Sequence, residues 1–146
     1  MTGDPYHLIR FVEAQRTTYA VALAELRRGR KSSHWIWFVF PQLAGLGRST
    51  TAQFYGLGGL GEARAYLAHP ILGPRLLESV QAMLAHPDVT ARQILGDVDA
   101  LKLRSCLTLF AEAGPTIEPF TDALARFFGG QRDPLTLDLL GAQGGA

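Results

Sequence analysis

The stretch Gly29 to Thr51, GRKSSHWIWFVFPQLAGLGRSTT, decides how the chain reads. A basic turn, Arg30 to Ser33, runs into His34-Trp35-Ile36-Trp37-Phe38-Val39-Phe40, stops at Pro41-Gln42 and leaves through Gly45-Leu46-Gly47-Arg48-Ser49-Thr50. Both tryptophans of the protein lie here, with cations and hydroxyls on either side. Aromatic side chains bury large areas and anchor cores or pockets. A continuous apolar run of this length suits a buried strand or a buried short helix equally well. The rest of the chain offers no partner strands, and an unpaired buried strand leaves its N–H and C=O groups unsatisfied. A short helix ended by Pro41 is therefore predicted.

Upstream, Asp4-Pro5 is a helix start, and Leu8, Phe11, Val12, Gln15, Tyr19, Ala22, Leu23 and Leu26 recur at the spacing of one helix face. One helix to about Arg28 is expected, with Gly29 as its left-handed cap. Downstream, the glycine-rich Gly45 to Gly61 region carries a possible short helix at Thr50 to Tyr55, followed by a helix over Leu60 to Ala68. Further helices are predicted from Pro70 to His86, Ala91 to Leu95 behind a Thr90 cap, and Val98 to Ala113 behind an Asp97 cap. The last two run from Glu118 to Phe128 and from Pro134 to Leu140. The helix over Val98 to Ala113 is apolar around most of its circumference, which makes it central. The reading is an all-α, single compact globular domain over 1–146, with an ordered core of about 4–140 and about six to eight helices, several short.

Charged residues make up 18% of the chain, below the usual ~25%. The formal net charge of +1 is too small for the phosphate-neutralising field of a nucleic-acid binder, and Arg27, Arg28, Arg30 and Lys31 form the single basic run. The lone Cys106 cannot make an internal disulfide, and no leader or bilayer-spanning run is visible, so a cytoplasmic protein without membrane association is expected. His7, His34, His69 and His86 fall on separate elements with no ligand-pair spacing, so neither a metal nor a cofactor is expected. The oligomeric state is left open.

Three polar sets could carry chemistry. Lys31, Ser33 and His34 stand at the entry to the aromatic helix, where free N–H groups favour an anion; a solvated loop with a capping serine is the alternative. Gln42 and the Arg48 loop have the ingredients of a phosphate cradle without the spacing of a P-loop or a dinucleotide fingerprint, and fit an ordinary turn with a cap at Ser49 or Thr50 as well. On the central helix, Asp99, Lys102, Ser105 and Thr108 recur every three residues. Exposed, Asp99 and Lys102 are a surface ion pair; buried, the same groups converge on a site. The function they suggest is binding of a small anionic or nucleotide-like ligand. Its ring would stack on Trp35 or Trp37, its anion would meet Lys31, Arg48 and Lys102, and Ser33, Gln42 and Ser105 would line the site, with His34 or Asp99 handling a proton. The other reading is a non-catalytic protein-interaction module or self-associating scaffold with the aromatic run as core.

The segments LAELRRGRK (Leu23 to Lys31), SHWIWFVFPQLAGLGRS (Ser33 to Ser49), EARAYLAHPILGPRL (Glu62 to Leu76) and LKLRSCLTLF (Leu101 to Phe110) resemble the bacterial domain of unknown function family 1810, over roughly residues 4 to 140. The resemblance implies a compact, mostly helical domain and no particular activity. Members are sometimes labelled calpastatin, but inhibitory calpastatins are disordered and this chain has the periodicity of a folded domain. The hydroxyl–His pair before the aromatic run and the HPILGPRL element are also similar to features of small helical N-glycosidases acting on ADP-ribose-like or riboflavin-precursor nucleotides. That similarity implies hydrolase or N-glycosidase-type chemistry.

Overall fold

The computed structural model describes residues 3–143, and its elements are all helical. In chain order they are α1 (Ile9–Gln15), α2 (Tyr19–Arg27), α3 (Ile36–Val39), α4 (Thr50–Tyr55), α5 (Leu60–Ala68), α6 (Leu72–Leu84), α7 (Ala91–Leu95), α8 (Asp97–Ala113), α9 (Glu118–Phe128) and α10 (Pro134–Ala142). Ten helices among the described residues exceed the six to eight expected. Part of the excess comes from the first predicted helix, which is two. Thr17-Thr18 interrupt it: β-branched hydroxyl side chains are poor helix formers that compete for backbone hydrogen bonds. The break leaves Gln15 buried as a junction, its amide donating to the Phe38 carbonyl at 2.7 Å and its oxygen accepting from Arg75.

Asp4 caps the chain's first turn from outside the helix, accepting from the N–H groups of Leu8 and Ile9 at 2.7 and 2.9 Å. Asp97 does not cap α8. Gly96 holds the cap position, and Asp97 is the first helical residue, paired with Arg92. Gly29 ends α2 with φ +81°, the left-handed conformation that a glycine adopts freely.

The predicted centrality of α8 holds. Leu103, Cys106, Leu107, Leu109 and Phe110 are buried on it, with α5, α7, α9 and α10 against its sides. Phe110 stacks on Phe120 of α9 and meets Tyr66 of α5. The aromatic run is the short helix α3, wedged between α1, α4 and α6. Beyond it a single parallel bridge, Leu43 to Leu57, ties the two ends of the glycine-rich region together, with the Leu57 N–H donating to the Gln42 carbonyl at 2.9 Å. That bridge fixes the backbone of Gln42, one wall of the site described next. No helix among the described residues is long and apolar enough to cross a membrane.

Candidate functional site

The turn before α3 is built around a carboxylate. Glu25 of α2 is 2% exposed and accepts from the N–H groups of Ser32 and Ser33 at 2.8 and 3.0 Å, from Ser33 Oγ at 2.5 Å and from Trp35 Nε1 at 2.9 Å. Burial pushes the Glu25 carboxyl up, but the donors from Ser33, Ser32 and Trp35 outweigh it and hold the pKa down at about 2. The anion expected at this entry is thus supplied by the protein itself. Ser33 is occupied by Glu25. Trp35 is 1% exposed, so its indole is interior and presents no face for a ligand to stack on.

The polar face of α8 is half-buried at Asp99 and Lys102 and buried at Ser105 and Thr108, and its half-buried end gathers cations. Lys31 Nζ lies 2.9 Å from one oxygen of Asp99, and Lys102 Nζ lies 3.3 Å from the other. Each ammonium also stands over an indole, Lys31 at 5.1 Å from the Trp35 ring centre and Lys102 at 4.2 Å from that of Trp37. Cations over tryptophan faces are attracted by the ring quadrupole, more so where water is thin. Two ammoniums share one carboxylate, so the cluster carries a net positive charge. Asp99 is its hinge, and both of its oxygens are engaged.

Lys102 leads from this cluster into an open cleft of about 400 Å³, within the range of small-molecule sites. Trp37, Gln42, Leu46 and Gly47 form one side of it. Val98, Leu101, Lys102 and Ser105 of α8 form the floor, and Asp133 and Leu135 at the start of α10 form the far side. Gly47 must be a glycine because a Cβ there would come within 2.8 Å of Ala52 Cβ. The rim is apolar, with Val98, Leu101 and Leu135 among the most exposed large hydrophobic residues of the chain at 65%, 61% and 51%. Gln42 is 8% exposed, and its Nε2 has no hydrogen-bond partner among the described residues. It borders both the cleft and a side chamber of about 10 Å³ behind Trp37.

Among the residues singled out in the sequence, Trp37, Gln42, Lys102 and Ser105 therefore meet at one concavity, with Asp99 and Lys31 standing behind Lys102. His34 is exposed and lies outside the cleft lining. Arg48 is also exposed and outside it. Its loop is the turn-and-cap alternative, with Ser49 Oγ accepting from the Ala52 N–H at 3.0 Å. Sequence reasoning missed Glu25, Asp133 and the apolar rim. Glu25 had a signal, being an acid beside Ala22, Leu23 and Leu26 on the apolar stripe of α2. Asp133, just before Pro134, carries only the signal of a helix cap, and it is one, its Oδ2 accepting from the Thr136 N–H at 2.9 Å.

Residues 5–140 match the model of the family described as "Protein of unknown function (DUF1810)". The chain belongs to the DUF1810 family. The DUF1810 chain is also similar to the crystal structure of the conserved hypothetical protein Rv1873 from Mycobacterium tuberculosis. Identity is 47%, over 94% of this chain and 99% of that one, with a TM-score of 0.93. The family expected from SHWIWFVFPQ and HPILGPRL is thus the family found, and its helical fold is shared by a solved bacterial relative. No curated protein matches the DUF1810 chain.

Proposed function

We propose that the cleft binds a small anionic molecule with a planar or ring-shaped body, of the nucleotide type. The observation that carries this reading is the Gln42 amide, buried on the cleft wall with no partner among the described residues. An unsatisfied buried amide costs a fold about 1–3 kcal/mol, and a ligand acceptor met by a turn of the Gln42 side chain removes that cost. Beside it stands Lys102, whose ammonium has one long contact to Asp99 and donors to spare for a phosphate or carboxylate. The edge of Trp37 and the apolar rim supply the surface for the body of the ligand. Binding is the primary claim. His34 is exposed and both Asp99 oxygens hold ammoniums, so a hydrolase or N-glycosidase step at this cleft would draw on Asp133, the carboxylate in its lining.

The test is thermal unfolding and calorimetric titration with nucleoside monophosphates, sugar phosphates and inorganic phosphate, on the wild type, Gln42→Leu and Lys102→Met. A ligand present at a hundred times its Kd stabilises by about 2.7 kcal/mol, which is roughly 5–10 °C for a domain of this size. Gln42→Leu should leave the unliganded protein as stable or more stable, because it removes an unpaired buried amide, and should weaken binding. Absence of any stabilisation across that panel contradicts the reading.

The exposure of Val98, Leu101 and Leu135 favours a second reading, a protein-interaction or self-association surface. Sedimentation across a concentration series tests its homomeric form. A monomer throughout counts against it.

A further inference from the structure

The polar atoms of the cleft are sorted by kind along α8. Lys102 is a donor, and so is the Gln42 amide once a turn of its side chain brings the Nε2, sealed from solvent, to the cleft. One turn further on, Ser105 Oγ gives its own hydrogen to the Leu101 carbonyl at 3.2 Å, which leaves it able only to accept. One turn beyond that, Thr108 Oγ1 accepts the Asp133 N–H at 2.9 Å and so fixes Asp133 against the helix. Both hydrogen bonds that the Asp133 carboxylate accepts, from the Thr136 N–H at 2.9 Å and Thr136 Oγ1 at 2.6 Å, fall on Oδ2. Oδ1 has no partner among the described residues. The donor end at residue 102 and the acceptor end at the level of residue 108 are about 9 Å apart along the helix axis.

We infer that the ligand is a ribosyl phosphate, a nucleoside monophosphate or a close relative, with its phosphate at Lys102 and Gln42 and its vicinal ring hydroxyls donating to Asp133 Oδ1 and Ser105 Oγ. This rests on the binding reading above and adds to it the sugar and its orientation. A carboxylate accepts a hydroxyl proton in a charge-assisted bond, and a site that holds a hydroxyl this way rejects the analogue lacking it. Acceptors at one end and donors at the other exclude a ligand that is anionic at both ends, because its second anion would face Asp133. An inorganic anion offers nothing for the acceptor end. Asp133 and Ser105 are thereby specificity-determining residues for the sugar.

The experiment titrates the full chain with adenosine monophosphate, with its analogue lacking both ring hydroxyls, and with inorganic phosphate. Asp133→Asn is the matched variant. Asparagine caps a helix as well as aspartate does, so α10 is kept while the charge is lost, and Asp133→Ser, also a good cap, serves if the asparagine variant does not fold. The expected result is a preference of roughly tenfold or more for the ribose form in the wild type. In Asp133→Asn that preference should shrink towards unity, with the affinity for the dideoxy analogue unchanged. Equal affinity of the wild type for the two nucleotides, or a preference that survives in both Asp133 variants, overturns the sugar assignment and leaves the binding reading standing. Failure of all three probes to bind removes the binding reading and the assignment with it.

Discussion

Replacing Glu25 by glutamine isolates the charge at the centre of the α2–α3 junction. The amide is the same shape, so its oxygen can keep the three bonds from the Ser32 and Ser33 N–H groups and Trp35 Nε1, and its NH₂ can turn to donate to Ser33 Oγ. What is lost is the negative charge. The folded carboxyl titrates at about 2 against an ordinary 4.5, and at about 1.4 kcal/mol per pH unit that difference amounts to about 3 kcal/mol. The sign follows from the depressed value. Above pH 4.5 both folded and unfolded carboxyls are ionised and the full contribution is present. As pH falls from 4.5 towards 2 the unfolded chain takes up the proton first, and the contribution drains away. The protonated wild type then resembles the glutamine variant. Urea unfolding of both proteins at pH 7, 5, 4 and 3 should give a gap of about 3 kcal/mol at neutrality, roughly 10 °C in Tm, closing as the solution is acidified. A gap under about 1 kcal/mol at pH 7, or one that does not change with pH, would refute the assignment of Glu25 as a buried, charged anchor.

Other consequences follow from particular side chains. Arg10 reaches Glu62 at 2.9 Å in a nearly buried pair and donates to the carbonyls of Phe54 and Gly56. Arg10→Met should therefore cost about 3–5 kcal/mol in chemical denaturation by leaving Glu62 uncompensated; a loss below about 1 kcal/mol would show the pair to be dispensable. The two tryptophans should separate cleanly. Trp35→Phe removes the donor to Glu25 and should destabilise by about 1–3 kcal/mol, whereas Trp37→Phe should change stability little and weaken nucleotide binding. Equal effects of the two would contradict the division between core and cleft. Burial pushes the Cys106 thiol well above its usual range, so a thiol reagent should label it only at the rate of unfolding, and fast labelling of the native protein would show α8 to be open.

The helices were largely legible because apolar spacing and caps agree locally, as at Thr90, where the side chain accepts from the Gln93 N–H and the Gln93 side chain answers it. The break at Thr17-Thr18 was not, because a continuous apolar stripe spans it, and only the packing of Gln15 against Phe38 and Arg75 shows why the chain turns there. In the candidate site, the three-residue rhythm of Asp99, Lys102 and Ser105 marks the face of α8 whose Lys102 and Ser105 line the cleft. It could not say which of two flanking tryptophans faced the cleft. That choice is made by Glu25, which binds the indole of Trp35 from a helix ten residues upstream and draws it inward. Such long-range pairing of a carboxylate with an indole leaves no periodic trace. Asp133 was hidden for another reason: a capping aspartate and a cleft-lining aspartate are the same residue here, and the sequence displays only the first role.

The central claim is that Trp37, Gln42 and Lys102 form one anion-and-ring binding site. It is tested most directly by an amide-detected NMR titration of the wild-type protein with adenosine monophosphate, in which the side-chain NH₂ of Gln42 and the indole N–H of Trp37 report separately from the backbone. The account predicts saturable shifts of those two groups and of the backbone from Val98 to Ser105, with the Trp35 indole N–H unmoved on Glu25. Shifts confined to Arg27, Arg28 and Arg30, or no shifts at all, would contradict it.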